Sequence, residues 1–179
     1  MLELIGLKEL KRLAYEHYEA TRDTFKQHAD EQIIPKLAVT IGENPHKRKT
    51  HLVFLQDFDE RRYDVLYSIG AKYGEDKEHV IATIFISEAW MTTRPVSDKS
   101  SLVAPSKDPN RQEVVIICGM TIELKSYSMT IPIETDSRGK RSLGKPLDDA
   151  ADVQSNLLNE FWRGFALAFA TMRNDPKMN

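Results

Sequence analysis

Between Leu7 and Ala29 the apolar positions recur with a period near 3.6: Leu7, Leu10, Ala14, Tyr18, Thr21, Phe25 and Ala29, with charged residues between them. This spacing predicts an amphipathic helix over about 7–29 with a narrow, partly polar stripe, suited to lying across a sheet. Pro35 limits its continuation, and a short apolar segment, Ile33 to Ile41, follows. The polar stretch from Gly42 to Thr50 reads as a loop, and Leu52 to Leu55 as a short strand. Asp57, with Glu60 three residues on, can cap a helix over about 59–73 that buries Tyr63, Leu66, Ile69 and Tyr73 and stops at Gly74. From Val80 to Trp90 both alternating faces are apolar, the sign of a buried central strand over 79–91.

Beyond Met91 the pattern breaks into a polar stretch from Thr92 to Arg111 containing Pro95, Pro105 and Pro109. Its Ser97–Ser101 centre has no apolar anchor, which predicts a mobile middle and an ordered end. Strands are expected at 113–118 and 124–133. In the latter, Tyr127, Met129, Ile131 and Ile133 face a core, while Ser126, Ser128, Thr130 and Pro132 face water, and Pro132 favours a sheet edge. A short return strand is expected at 141–145. Over about 149–173, Leu157, Leu158, Phe161, Trp162, Phe165, Leu167, Phe169 and Met172 cover most of a helical circumference, so this helix is buried in a core or an interface. Helix, strand, helix, a run of strands and a final helix make one α+β domain over 1–179, built on a single mixed sheet with the helices packed on it. The first two strands are expected to pair in parallel through a right-handed helical crossover, and the later ones to form an antiparallel meander.

Charge narrows the function classes. The 179 residues carry 25 basic and 27 acidic side chains, a net charge of -2, with 41% hydrophobic and 29% charged residues. This balance points away from nucleic acid as the partner. The N-terminal dozen residues mix charges into the apolar positions, unlike a signal peptide, and the apolar run Gly164–Met172 is too short to span a bilayer. The one cysteine, Cys118, sits in V-V-I-I-C-G as a small buried hydrophobe, which points to a reducing cytoplasm.

Candidate chemistry centres on Glu88, which ends the apolar face Val80, Ala82, Ile84, Ile86 and continues to Trp90. A carboxylate there needs a partner, a cleft or a shifted pKa. It could act as a general base at a cleft walled by Trp90, or pair with Arg94 or Arg111 to pin the following loop. Asp108 followed by Glu123-x-Lys125 matches, weakly, the skeleton of a metal-dependent nuclease, in which carboxylates hold Mg²⁺. No histidine pair has metal-ligand spacing beyond His28-x-x-Glu31, and His46-Lys47-Arg48-Lys49 reads as a solvated loop. Phosphate-cradle and hydrolase-elbow motifs do not occur, so neither a cofactor nor a metal is expected.

The stretches I-S-E-A-W-M at 86–91 and P-S-K-D-P-N-R-Q-E-V-V at 105–115 resemble a prokaryotic and phage domain group of unknown function, with an S-E-A-W strand end and a P-x-x-x-P-x-R-x-E loop. The resemblance covers about residues 51–145. It implies a bacterial, archaeal or phage source, and that Glu88, Trp90, Pro105, Pro109, Arg111 and Glu113 belong together. It implies no activity.

The leading expectation is therefore a non-enzymatic cytoplasmic protein that acts through a protein partner or as a homo-oligomer. Leu158, Phe161, Trp162, Phe165 and Phe169 are its candidate interface, on the argument that one helix can bury only one broad side in its own domain. The alternative is a small metal-dependent hydrolase or nuclease centred on Glu88 and the 92–111 loop.

Overall fold

The computed structural model describes residues 4–44, 47–56, 61–92, 104–149 and 156–173. They form three α-helices and seven strands. Helix α1 (Leu7–Gln27) is followed by β1 (Lys36–Asn44), β2 (Lys47–Phe54), α2 (Arg62–Glu75) and β3 (Val80–Met91). Strands β4 (Gln112–Thr121), β5 (Ser126–Thr135), β6 (Arg141–Leu143) and β7 (Leu147–Asp149) lead to α3 (Asn156–Arg173). Arg94, the Ser97–Ser101 stretch and the expected cap at Asp57 and Glu60 lie outside the described residues.

The strands make one sheet in the order β2-β1-β3-β4-β5-β6, with β7 also on β5. The α+β class and the single sheet covered by helices match the periodicity, but the sheet is not mixed: every pairing among the described residues is antiparallel. Of the stretch expected as a loop, 42–44 and 47–50 lie in strands. They supply the facing ends of a hairpin, with Asn44 opposite Lys47. Strand β2 is an edge, where lysines are tolerated because one side of the strand faces solvent. The expected helical crossover survives in altered form. Since β2 and β3 are each antiparallel to β1, they run in the same direction, joined through α2, but β1 lies between them and they do not pair.

Two hydrophobic cores flank the sheet. Beneath α1, Leu10, Leu13, Ala14, Tyr18 and Phe25 pack on Ala82, Ile84, Ile86, Ile117, Met129 and Ile131. On the other face Leu66 of α2 and Leu158, Phe161, Trp162 and Phe165 of α3 pack on Leu37, Val39, Phe85 and Met120. Alternation along β3 is interrupted at Ile81, which has no register partner on β1 between Thr40–Ala82 and Ile41–Val80. Ile81 and Ala82 both lie in the α1 core, and Val80 turns to the opposite core, away from the face it was expected to share with Glu88.

Helices α2 and α3 touch backbone to backbone. A Cβ on Gly70 would lie 2.0 Å from the Phe161 carbonyl oxygen, and one on Gly164 2.1 Å from that of Tyr67. Gly74 belongs to the same seam, so α2 continues past it to Glu75 instead of stopping there. Tyr63, expected in the core, is 45% exposed at the start of α2.

The expected wet face of β5 is covered, since Ser128 and Thr130 are buried. Pro132 does not mark an edge. It lacks an N–H, and opposite it the neighbouring strand breaks at residues 144–146 into β6 and β7, with Gly144 N–H donating to the Pro132 carbonyl at 2.8 Å.

Candidate functional site

Glu88 points to the α1 side near the end of β3, with its side chain 5% exposed. Its Oε1 accepts the Ile33 N–H at 3.0 Å, and its Oε2 lies 3.1 Å from Arg141 Nη2. That same nitrogen lies 3.2 Å from Glu113 Oε1. Neither approach is a linear hydrogen bond, and Arg141 Nε also lacks a hydrogen-bond partner, so the guanidinium is held by charge between two carboxylates. Arg141 Nη1 donates to the carbonyls of Ala29 (3.2 Å) and Glu31 (3.3 Å), and the guanidinium lies 5.2 Å from the Phe25 ring centroid. An arginine does pair with Glu88, as one reading expected, but it is Arg141 and not Arg111.

The reason is topological. The β4–β5 register ends at Val114–Pro132, whereas β5 pairs with β6 through Ile133–Thr135. This overhang carries Arg141 beyond β4, to the chain leaving α1. Arg111 is used elsewhere: its guanidinium stacks 4.2 Å from the Trp90 ring centroid and bonds the Ser106 carbonyl. Trp90 itself is 41% exposed and is the register partner of Glu113. Glu88, Trp90, Arg111 and Glu113 are therefore brought together, with Arg141 added from a distant segment. A polar cleft of about 470 Å³ borders them, lined by Gln32, Arg62, Glu88, Trp90, Ser106 and Glu113.

Glu88 Oε1 accepts the Ile33 N–H and Oε2 faces Arg141, so the carboxylate ties β3 to the chain after α1 and to β6 while it borders the polar cleft. The nuclease skeleton is dispersed. Asp108 is buried just before β4 and accepts the Asn110 N–H at 2.8 Å. Glu123 and Lys125 lie beyond the other end of β4, exposed and paired to each other at 2.7 Å. The ten residues of β4 hold these ends about 30 Å apart. Among the described residues no group of three or more His, Cys, Asp or Glu side chains is placed to hold a metal ion.

The expected interface residues on α3 belong instead to the chain's own core: Leu158 and Phe161 are 0% exposed, Trp162 5% and Phe165 6%. They are covered by the sheet and by α2, which approaches closely enough at its glycines to wrap the second side of α3. Only Phe169 remains partly uncovered.

Sequence reasoning also missed two surfaces. One is the open edge of β2, where Leu52 and Phe54 are 50% and 60% exposed beside an exposed Ile34. Leu52 pairs with Ala38, so this row faces the α1 side, where Arg48 forms an ion pair with Glu9. The other is an apolar cleft of about 720 Å³ at the far end of β3, beside α3, some ten residues or about 33 Å from Trp90. The signal for the first was the alternation of Leu52 and Phe54 after a basic run. The second depends on how α3 meets the β4–β5 turn, which no local pattern shows.

No helix among the described residues is long and apolar enough to cross a membrane. The chain matches no family model, no curated protein and no solved structure.

Proposed function

We propose that this chain is a non-enzymatic interaction protein that works as an assembly of its own copies, joined edge to edge through β2. The open β2 edge with exposed Leu52 and Phe54 carries this reading. An unpaired strand edge presents free N–H and C=O groups to another chain, and exposed apolar side chains on it add burial on pairing. The charge pattern selects an antiparallel second copy. Lys47, Arg48 and Lys49 occupy one half of the strand, and Leu52, Val53 and Phe54 the other. A two-fold pairing centred on Thr50 or His51 lays the basic half of each strand along the apolar half of the other, so no lysine or arginine faces another. Parallel pairing would stack the cations, which is unfavourable.

The tie from Glu88 to Ile33 and Arg141 gives that carboxylate a structural role, which supports this reading. The single cysteine, Cys118, is buried in the α2–α3 core, in keeping with a reducing cytoplasm. Sedimentation velocity at about 50 µM, where a micromolar dimer is populated, tests the assembly. The expected result is a dimer for the native chain and a monomer of unchanged helicity for Leu52→Lys/Phe54→Lys. A native monomer, or a dimer indifferent to both substitutions, would overturn the reading.

A further inference from the structure

The apolar cleft beside α3 has a feature that folding alone does not account for. Leu124, in the turn between β4 and β5, has φ +60° and is 61% exposed. A branched side chain in the left-handed region costs about 1–2 kcal/mol, and glycine or asparagine is the usual occupant. The hairpin sets this conformation, with the Leu124 N–H donating to the Thr121 carbonyl and the Thr121 N–H to that of Lys125, yet the side chain it carries there is mostly exposed. Leu124 nonetheless lines the cleft, together with Leu4 (50% exposed) and Ile122 (39% exposed). The inner wall includes Phe165 and Trp162. The buried indole N–H of Trp162 has no hydrogen-bond partner among the described residues.

The polar side chains of the lining are all capable donors: His79, Asn159, Arg163 and Trp162. Among the described residues that line the cleft there is no carboxylate. Arg163 pairs with Glu160 through Nε and Nη2 (2.9 and 2.5 Å) and its guanidinium lies 4.7 Å from the Tyr67 ring centroid, which leaves Nη1 without a hydrogen-bond partner among the described residues. At about 720 Å³ the cleft falls within the range that receives small molecules. An apolar cavity rimmed by these donors complements a molecule with an aliphatic tail and an anionic head.

We propose that this cleft binds an anionic amphiphile of the fatty-carboxylate class, its chain against Leu4, Ile122, Leu124 and Phe165 and its head group toward Arg163 and His79. This site is independent of the β2 edge and does not rest on self-association.

Titration calorimetry on the full chain, with dodecanoate and dodecanol as probes below their aggregation thresholds, tests it. Dodecanoate should bind, and dodecanol, with the same tail and no charge, should bind more weakly. Leu124→Gly should weaken dodecanoate by about tenfold, the worth of one leucine's burial, while the melting temperature holds or rises because the glycine relieves the backbone strain. Arg163→Gln should erase the preference for dodecanoate over dodecanol. Binding of neither probe, or dodecanoate binding untouched by Leu124→Gly, would overturn the site. Equal binding of the two probes would overturn the head-group assignment. Loss of a dimer in Leu124→Gly, without dodecanoate binding in the native chain, would make a second copy the occupant and overturn the proposal.

Discussion

Arg141 ties three distant segments together: the Ala29–Glu31 chain after α1, Glu88 on β3 and Glu113 on β4. With Glu88 5% and Arg141 16% exposed, removing the Glu88 carboxylate leaves the part-buried Ile33 N–H without its acceptor and Arg141 with Glu113 as its carboxylate partner. Glu88→Ala should cost about 1–3 kcal/mol in urea unfolding, and Glu88→Gln less, since an amide oxygen can still accept the Ile33 N–H. An unchanged unfolding midpoint for Glu88→Ala would show that the pair contributes nothing. The buried carboxylate was legible because it ends an apolar face. Its partner was not, because a register overhang 53 residues further along the chain delivers it. Two other groups set the acid limit. Burial lowers the pKa of His17 from 6.5, helped by the nearby Lys36 charge. The Arg12 hydrogen bond, joined by Arg48 and opposed by burial, brings Glu9 down from 4.5 to about 2. Both are protonated more readily in the unfolded chain, so both stabilise at neutral pH. The His17 contribution is complete above 6.5 and drains as pH falls through and below that value. The Glu9 contribution drains between 4.5 and about 2. Thermal melts should therefore show stability falling from below pH 6.5, and His17→Gln should flatten the upper part of that fall. Superimposable profiles for the two proteins there would contradict the assignment.

At the level of elements, α1 and α3 were readable from periodicity because each buries a continuous stripe. The β1–β2 hairpin was not, because its strands carry Lys47, Arg48 and Lys49 on an edge where polar residues are permitted. The α2–α3 seam was likewise hidden. Gly70 and Gly164 look like weak points in a helix, and their value appears only where two backbones meet. Gly70→Ala and Gly164→Ala should each destabilise by about 3 kcal/mol or more, since the new methyl collides with a carbonyl that the helix cannot easily move. Gly6→Ala, with nothing within 4 Å of its Cβ, is the control and should stay within about 0.5 kcal/mol. Equal effects at Gly6 and Gly70, read by calorimetric melting, would mean that α2 and α3 are not packed this closely. Because α2 wraps α3, the aromatic residues at 161, 162 and 165 are consumed inside the chain. The apolar surface that α3 keeps is at Leu167, 54% exposed, and where Trp162, Phe165 and Phe169 line the cleft at the far end of β3.

For the whole molecule, the uncovered apolar surface runs from the polar site, where Trp90 is 41% exposed, to the β2 edge and the far end of β3. Glu88, Arg141 and Glu113 close one corner of the sheet; Phe54 and Leu52 flank it on the β2 edge, with Phe54 across Lys36 from Ile86, and Leu4, Ile122 and Leu124 lie at the opposite end of β3. Such a distribution suits a protein that binds through surfaces, with its charged network serving to hold strands and α1 in place. If copies join through β2, the amides on its outer edge exchange slowly only when the second copy is present. Hydrogen exchange resolved to residues 47–54 tests this most directly. From about 1 to about 100 µM protein, those amides should slow by about tenfold while α1 amides stay constant, as mass action on a micromolar dimer requires. Exchange along β2 that is the same at both concentrations would contradict edge-to-edge assembly.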